Sequence, residues 1–518
     1  MLKLTPTAVL SAAALALLAG CGGGSSSGTP APVDPPPVTP PVTPPPPNPP
    51  PPDPPPPVTP PPVTVVDVEN AMHRCEKPRL STPQAVYPDQ QGTLADEKTF
   101  LRLWLDLSYL WRSEIPALDA ARYSSAVGYF NDLKTPQLSP SGKAKDRYHF
   151  SYPDERWAQI ARNEQYGYGI SWVRNRAPEL PRNWRITMVE EDTPAARAGL
   201  RRGDRLLMID GEDFVNGNGA GLAERIDAAL FPSASGQAHT LVLERDGQRL
   251  EANLLSLKAY VAPVRDLKVI DTGNGKVGYL AFRSHSNDAE GPLVKAVTQL
   301  KEAGISDLVL DMRYNGGGQL QIAGELAYMI AGAQATAGKT FEQLLPNERL
   351  TRQKPMLFPQ RASGLSAPVG IPLPTLDLKR VTVLTGPGTC SASESLINGL
   401  RGVDVEVNLI GGQTCGKPYA FIPTANCGTT YFAIQYRGIN HKGFGDFSDG
   451  FAPTCRVDDD LGAALGDPAE GMLAAALKYR ASGACPAPRS ARAQAAALPA
   501  LVPARPQAAE ISIYAPPK

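Results

Sequence analysis

Hydrophobic and polar positions divide the chain into segments with different periodicities. Residues 8–19 form one apolar stretch in which Ser11 is the one polar residue, and residues 97–111 are apolar around much of a helical circumference. Further along, short apolar runs typical of buried strands alternate with helical stretches, as at 307–311 and then 320–330. This alternation predicts a multidomain protein of mixed α+β and α/β class.

The N-terminus has the features of an export signal. Lys3 precedes the apolar stretch, which is too short to span a bilayer, and Leu-Ala-Gly then leads to Cys21. This order resembles a bacterial lipobox, which implies a signal peptide over 1–20 and a lipid on Cys21. Gly22 follows where an Asp would retain the protein at the inner membrane, so the resemblance implies a lipid-anchored protein of the bacterial outer membrane. An ordinary signal peptide with an incidental cysteine is the alternative.

Proline and alanine content defines a linker and a tail around the folded part. Residues 21–63 are expected to be a lipidated cysteine and linker, because 22 prolines lie within 30–63 and favour a semi-rigid polyproline II spacer. Residues 486–518 are rich in Ala and Pro without apolar periodicity, which predicts a disordered tail. Between them, residues 64–155 are expected to form an N-terminal helical domain.

Charge and histidine content exclude several classes of function. Lys plus Arg and Asp plus Glu both number 51 in the 518 residues, so the chain has no net charge to attract nucleic acid. The five histidines lack the spacing of a zinc-protease helix or a zinc finger. No metal or cofactor is therefore predicted.

The cysteines predict disulfides. Six remain once Cys21 is lipidated, an even number that favours pairing in an exported protein. Six cysteines allow 15 connectivities. Cys415 and Cys427 flank a predicted hairpin, which favours that pair, while a disulfide at Cys390 would stiffen the neighbouring turn.

Residues 156–260 contain the pattern of a peptide-binding module. A short helix from Pro194 ends at glycine, a strand follows, and Asp210-Gly211 is typical of a hairpin turn. The order resembles a PDZ domain, a β-sandwich-like fold, of the bacterial protease type. The resemblance implies that the loop of Gly167, Tyr168, Gly169 and Ile170 captures a C-terminal carboxylate while the peptide adds as a strand. A PDZ domain that only packs against its neighbour is the alternative.

Three short motifs after residue 260 suggest chemistry. The strand at 307–313 ends in a Gly-rich turn containing Gly316 and Gly317. Ser391 lies on a second strand-to-helix turn, where its hydroxyl can be exposed and the next N–H can face an oxyanion. Alternatively, Ser391 is only a helix cap paired with Glu394. Lys417 is either a desolvated general base or an ordinary surface lysine.

Together the motifs resemble the C-terminal processing, or tail-specific, serine peptidases over about residues 160–480. The PDZ pattern, the Asp-x-Arg-x-Asn-Gly-Gly-Gly turn, Ser-Ala-Ser-Glu and Gly-Lys occur in the order of that family. The resemblance implies an α/β, crotonase-like ββα peptidase core over 261–485, with Ser391 as nucleophile and Lys417 as base. It also implies an oxyanion hole built from Gly316, Gly317 and Ala392.

The implied activity is hydrolysis of peptide bonds in exported proteins or peptides with exposed C-termini, without a cofactor. Phe421 departs from the family pattern, because some relatives have an orienting glutamine four residues after the lysine. A non-catalytic, ligand-binding lipoprotein is therefore an alternative. A second alternative is a Ser-His-Asp triad that uses one histidine and one aspartate from His285, His441, Asp446 and Asp449.

Overall fold

The computed structural model describes residues 62–162, 164–175, 180–487, 501–504 and 512–513, which belong to one compact unit. The predicted signal peptide, Cys21 and nearly all of the proline-rich linker lie outside the described residues. Within the described part of the chain, no helix is long and apolar enough to cross a bilayer.

The N-terminal region is mainly helical, as predicted. Its elements are α1 (Val65–Ala71), β1 (Arg74–Cys75), β2 (Gln90–Gln91), α2 (Leu94–Ser108), α3 (Ala126–Asp132), β3 (Phe150–Pro153) and α4 (Asp154–Ala161). Helix α2 begins where it does because Thr93 and Asp96 form a reciprocal capping box. The helix lies against Phe421, Tyr431 and neighbouring apolar residues, so this region shares a core with the later peptidase region.

The next region is built around one antiparallel sheet. Its elements are β4 (Glu164–Gly167), β5 (Ile170–Asn175), β6 (Trp184–Val189), α5 (Pro194–Arg197), β7 (Arg205–Ile209), β8 (Glu212–Asp213), α6 (Leu222–Leu230), β9 (Ala238–Arg245), β10 (Gln248–Leu255) and β11 (Leu257–Tyr260). The predicted turn joins β7 to β8, and Asp210 and Gly211 both have positive φ, as a two-residue hairpin turn requires. Helix α4 crosses the domain boundary expected at residues 155–156.

The third region has a mostly parallel sheet with helices packed against it. Its elements are β12 (Val264–Thr272), β13 (Gly275–Phe282), α7 (Glu290–Glu302), β14 (Asp307–Asp311), β15 (Gly318–Gln319), α8 (Leu320–Thr336), β16 (Thr340–Leu345), β17 (Met356–Leu357), β18 (Arg380–Thr385), α9 (Ala392–Gly402), β19 (Glu406–Gly411), β20 (Tyr419–Ala420), β21 (Thr424–Asn426), β22 (Thr429–Phe432), β23 (Tyr436–Ile439), β24 (Cys455–Arg456) and α10 (Gly471–Ser482).

The strand order of the main sheet is β12-β13-β14-β18-β19-β24. All neighbours are parallel except β12 and β13. Every residue of β14 is buried, as its mostly apolar sequence predicts for a central parallel strand. The parallel arrangement brings the C-terminal ends of β14 and β18 together, and each end leads into one of the turns singled out in the sequence.

The disulfides correct one prediction. Cys75 bonds to Cys427, Cys390 to Cys415, and Cys455 to Cys485, so the favoured pair of Cys415 with Cys427 is wrong. The hairpin of β21 and β22 begins only at Thr424, after Cys415, and carries Cys427 in its turn. That turn faces the N-terminal region instead. The stiffening disulfide suggested for Cys390 is present.

The C-terminal tail also differs from the prediction. Two short strands, β25 (Leu501–Ala504) and β26 (Ser512–Ile513), lie within the segment expected to be disordered. β25 pairs with β5, and β26 pairs with β15. A strand can add to an open sheet edge through backbone hydrogen bonds alone, so it needs no apolar periodicity of its own.

Candidate active site

Ser391 occupies a strained turn between β18 and α9. Its φ of 66° and ψ of −119° lie outside the regions favoured by non-glycine residues, and the residue is fully buried. The Ser391 N–H donates to the carboxylate of Glu394 at 2.9 Å, and the Ser391 side chain accepts from the backbone N–H of Glu394, so both halves of the predicted cap are present. The cap and the nucleophile interpretations are compatible, because a hydroxyl oxygen that accepts a hydrogen bond keeps its own proton to donate.

Lys417 is also fully buried. Its Nζ lies 4.9 Å from the ring centroid of Tyr148 and 4.3 Å from that of Phe421. The surface-lysine interpretation is wrong, because the segment from Gly416 turns the side chain into the protein. The position where some relatives place glutamine thus provides an aromatic face, which stabilises an ammonium through its quadrupole.

Glu394 joins the serine turn to the lysine segment. One carboxylate oxygen, Oε2, accepts hydrogen bonds from the N–H of Ser391 at 2.9 Å and of Lys417 at 2.8 Å. The other, Oε1, accepts from the N–H of Gly416 at 2.9 Å and the hydroxyl of Thr414 at 2.5 Å. Burial raises the pKa of Glu394, while these donors oppose the shift. One buried side chain therefore fixes both predicted catalytic residues.

A disulfide reinforces this link. Cys390, directly before the serine, is bonded to Cys415, two residues before Lys417, with 5.1 Å between the Cα atoms. The N–H of Cys415 also donates to the carbonyl of Thr389 at 3.0 Å. The two segments are thus held together covalently and by backbone hydrogen bonding.

The Gly-rich turn packs directly against the serine turn. Gly317 has a φ of 103°, and a Cβ there would lie 2.8 Å from the Cβ of Ser391 and 3.0 Å from the nitrogen of Ala392. Only glycine fits this approach. The carbonyl of Asn315 completes the contact by accepting from the N–H of Cys390 at 3.1 Å.

The predicted oxyanion donors differ in availability. The N–H of Gly317 donates to Oδ1 of Asn315 at 3.0 Å, so it is already occupied. In the part of the chain that the structure describes, the N–H groups of Gly316 and Ala392 have no protein acceptor. Of the three predicted donors, these two can bind a developing oxyanion without losing a hydrogen bond.

The histidines do not form the alternative triad. His285 is fully buried, its Nδ1 lies 3.1 Å from Oδ1 of Asn315, and burial lowers its pKa to about 3. His441 is exposed, and its Nδ1 accepts from the N–H of Thr340 at 3.3 Å. Asp449 contacts Ser141, and Asp446 is exposed. The partners of both histidines are thus neutral groups, whereas a triad requires a carboxylate.

An ionic cluster holds the strand that leads into the Gly-rich turn. Buried Arg313 pairs with Asp311 at 2.9 Å, Glu470 at 2.8 Å and Asp459 at 2.7 Å. The motif contains Arg313, but neither Asp459 nor Glu470 could be identified from spacing, because they lie about 150 residues further along. The signal in the sequence is the arginine itself: an arginine buried beside a Gly-rich turn requires carboxylate partners from elsewhere in the chain.

The PDZ loop and the Gly-rich turn line the same cavity. Tyr168, Gly169 and Ile170 contribute from the loop, and residues 316–318 contribute from the turn, to a space of about 320 Å³. The predicted carboxylate-binding loop is therefore brought next to the predicted oxyanion donors. Ser391 and Lys417 lie behind the Gly-rich turn and do not line this cavity.

Comparison with known proteins matches the chain to three families. Residues 276–423 match peptidase family S41, residues 96–152 match the peptidase S41 N-terminal domain, and residues 185–230 match the PDZ domain. The peptidase match contains the Gly-rich turn, Ser391 and Lys417.

Two named relatives are similar in sequence to part of this chain. A carboxyl-terminal-processing protease of Picosynechococcus sp. is 29% identical over 277 residues, which are 51% of this chain and 60% of that protein. A probable CtpA-like serine protease of Staphylococcus aureus is 25% identical over 241 residues, 45% of this chain and 41% of that protein. The chain thus spans at most about 60% of the length of these relatives.

The fold is similar to that of a solved structure. A putative S41 protease from Bacteroides fragilis superimposes with a TM-score of 0.58 at 22% identity, covering 78% of this chain and 100% of that one. The photosystem II D1 C-terminal processing protease gives a TM-score of 0.44 at 18% identity, covering 73% of this chain and 96% of that one.

Proposed function

We propose that the chain is a serine endopeptidase, because parts of it match peptidase family S41, the peptidase S41 N-terminal domain and the PDZ domain. Its substrates are exported proteins, cut near their C-terminal tails. The observation that carries the proposal is the single carboxylate oxygen of Glu394, which accepts from the backbone N–H of both Ser391 and Lys417.

The proposed reaction is acyl transfer through a Ser-Lys dyad. The neutral amine of Lys417 takes the hydroxyl proton of Ser391 as Oγ attacks the peptide carbonyl carbon. The N–H groups of Ala392 and Gly316 bind the oxyanion. Collapse of the tetrahedral intermediate breaks the C–N bond, and Lys417 returns the proton to the leaving amine. Water then attacks the acyl-enzyme, assisted by the same lysine, and restores the serine.

Burial and aromatic contact support Lys417 as the base. Removal from water disfavours the ammonium form, so a buried lysine can start the reaction as a neutral amine. The faces of Tyr148 and Phe421 lie close enough to stabilise the ammonium that forms during proton transfer. The lysine is thus suited to gaining and losing a proton within one turnover.

The PDZ loop is proposed to select substrates by their C-terminal carboxylate. The loop of Gly167, Tyr168, Gly169 and Ile170 lies on the cavity that reaches the Gly-rich turn, which supports delivery of a bound tail towards Ser391.

We further propose attachment to the bacterial cell envelope, at the outer membrane, through lipid on Cys21. Three disulfides among the described residues support an oxidising compartment. Comparison of membrane fractionation for the parent and Cys21→Ser tests the anchor, and membrane retention of the variant would contradict it.

Cleavage by residues 62–518, the compact unit, tests the peptidase. We would incubate the protein with an unfolded substrate bearing an apolar C-terminus and identify fragments by mass spectrometry. Ser391→Ala and Lys417→Ala are expected to abolish cleavage, whereas Lys442→Ala, at an exposed lysine, is expected to retain it.

Two results would contradict the assignment. Cleavage by Ser391→Ala would mean that another nucleophile acts. Absence of cleavage by every folded form, with peptide binding retained, would favour the non-catalytic binding lipoprotein.

A further inference from the structure

The C-terminal tail completes the edge of the PDZ sheet. Strand β25 pairs antiparallel with β5, the strand that directly follows the predicted carboxylate-binding loop. In the register, Leu501 lies opposite Asn175 and Ala504 lies opposite Trp172. The tail therefore runs towards the loop, in the direction in which a C-terminal peptide approaches when it adds as a strand.

Side chains of this strand are packed into the protein. Ala504 is only 5% exposed and belongs to the apolar core that contains Leu222 and Ile226 of α6. Leu501 packs against a cluster that includes Val173 and Tyr314. Pro503 and Ala504 also line the cavity shared by the PDZ loop and the Gly-rich turn. The tail thus occupies the groove between β5 and α6.

The second tail strand lies at the candidate active site. Strand β26 pairs parallel with β15, with Ser512 opposite Gly318, the residue directly after the predicted oxyanion turn. β26 also lies beside β20, which begins two residues after Lys417. The backbone of Ser512 and Ile513 therefore lies between the Gly-rich turn and the lysine segment.

We propose that β25 and β26 of the tail are an intramolecular ligand, in which β25 occupies the PDZ groove and β26 occupies the substrate groove between the Gly-rich turn and the lysine segment. The inference rests on the proposed function in that these grooves are taken to receive substrate tails. A tethered ligand has an effective concentration in the millimolar range for a short flexible connection. The C-terminal tail of a substrate must displace it, so the chain's own tail lowers the apparent affinity for substrates.

Peptide binding tests this occupancy without requiring catalysis. The probe is a fluorescent synthetic peptide with the sequence of residues 501–518, measured by anisotropy against the full chain carrying Ser391→Ala. Adding Ala504→Glu places a charge in the apolar core and is expected to release the tail. We expect this variant to bind the probe at least about tenfold more tightly. The reason is that the state with an empty groove, which is the state that can bind the probe, becomes fully populated.

A second variant and a matched control complete the experiment. A chain ending after Ala500 lacks both strands and is expected to bind the probe as tightly as Ala504→Glu. Ala228→Glu places the same charge on the exposed side of α6 and is expected to bind as weakly as the parent. Equal binding by the parent and the truncated chain, or no binding by any folded form, would overturn the proposal.

Catalysis provides a separate measurement. With Ser391 intact, release of the tail by Ala504→Glu is expected to lower the KM for an unfolded protein substrate while kcat changes little. If no form cleaves but the binding differences remain, the peptidase function fails and the intramolecular ligand stands. If cleavage occurs but the binding differences are absent, the ligand proposal fails and the peptidase stands.

Discussion

Lys417 points its Nζ at the ring of Phe421, 4.3 Å from the centroid, at a position where some S41-type sequences have a polar orienting residue. The two side chains are both fully buried and separated by three residues in the chain. An aromatic face orients a cation without forming a directional hydrogen bond. In the proposed mechanism, a ring therefore stabilises the charge that forms on the lysine during proton transfer.

Replacing Phe421 tests this role. Phe421→Leu retains an apolar side chain but removes the ring, so the ammonium loses stabilisation of about 2 kcal/mol, or roughly 30-fold in kcat/KM. Steady-state kinetics on an unfolded protein substrate provides the measurement. Phe130→Leu is the matched control, because Phe130 is buried in the same cluster as Phe421 and its ring stacks on that of His149. Similar losses in both variants would indicate general destabilisation.

Glu394 is expected to act as a positioning residue. Glu394→Gln presents an NH₂ group to donors that now face a carboxylate, which leaves buried N–H groups unsatisfied at about 1–3 kcal/mol each. We expect kcat to fall by about 100-fold, since misplacement of about 1 Å has effects of that size, with KM little changed. Glu342→Gln changes another buried carboxylate and controls for loss of the carboxylate group. An equal fall in kcat in both variants would contradict the assignment.

The disulfide between Cys390 and Cys415 is expected to support the rate as well as stability. Its removal by the double alanine variant should lower the free energy of unfolding by about 3 kcal/mol and also lower kcat. The disulfide of Cys455 and Cys485 closes a segment of similar separation, 30 against 25 residues, away from the serine turn. Denaturant unfolding and kinetics of both double variants should show similar stability losses but a rate effect only for the first.

Stability should depend on the ionisation of Glu342. Burial raises its pKa from 4.5 to about 7, against the opposing hydrogen bond from Ser395. Between these values the folded protein holds a proton that the unfolded chain releases, so stability falls as pH rises from about 4.5 to 7. The upper limit of this loss is about 3 kcal/mol. Glu342→Gln should reduce the difference between urea unfolding at pH 5 and pH 8, and an unchanged difference would contradict the prediction.

The sequence predicts most of the elements that position the site, because local patterns determine them. The mostly apolar run of β14 predicts a central buried strand, and the Gly-rich and serine turns follow strands that are neighbours in the sheet. Because adjacent parallel strands end at the same edge of a sheet, the two turns are expected to lie together without any knowledge of distant contacts.

Contacts between distant residues could not be predicted in this way. The Cys75–Cys427 disulfide joins positions 352 residues apart, and only the fold places that hairpin turn next to the N-terminal region. Glu394 fits a simple helix cap from spacing alone, because its bonds to Gly416 and Lys417 come from another segment. The tail strands have no apolar periodicity, since they pair through their backbone with edges formed elsewhere.

The disulfide between Cys75 and Cys427 also determines how the protein bears mechanical load. A pull applied at residue 62, where the proline-rich sequence ends, can draw out only residues 62–74 before it meets this covalent crosslink. From Cys75 the force passes directly to the hairpin of β21 and β22 and on to β3, with which that hairpin is paired. Helix α2 lies beyond the crosslink and is therefore shielded from unravelling under tension.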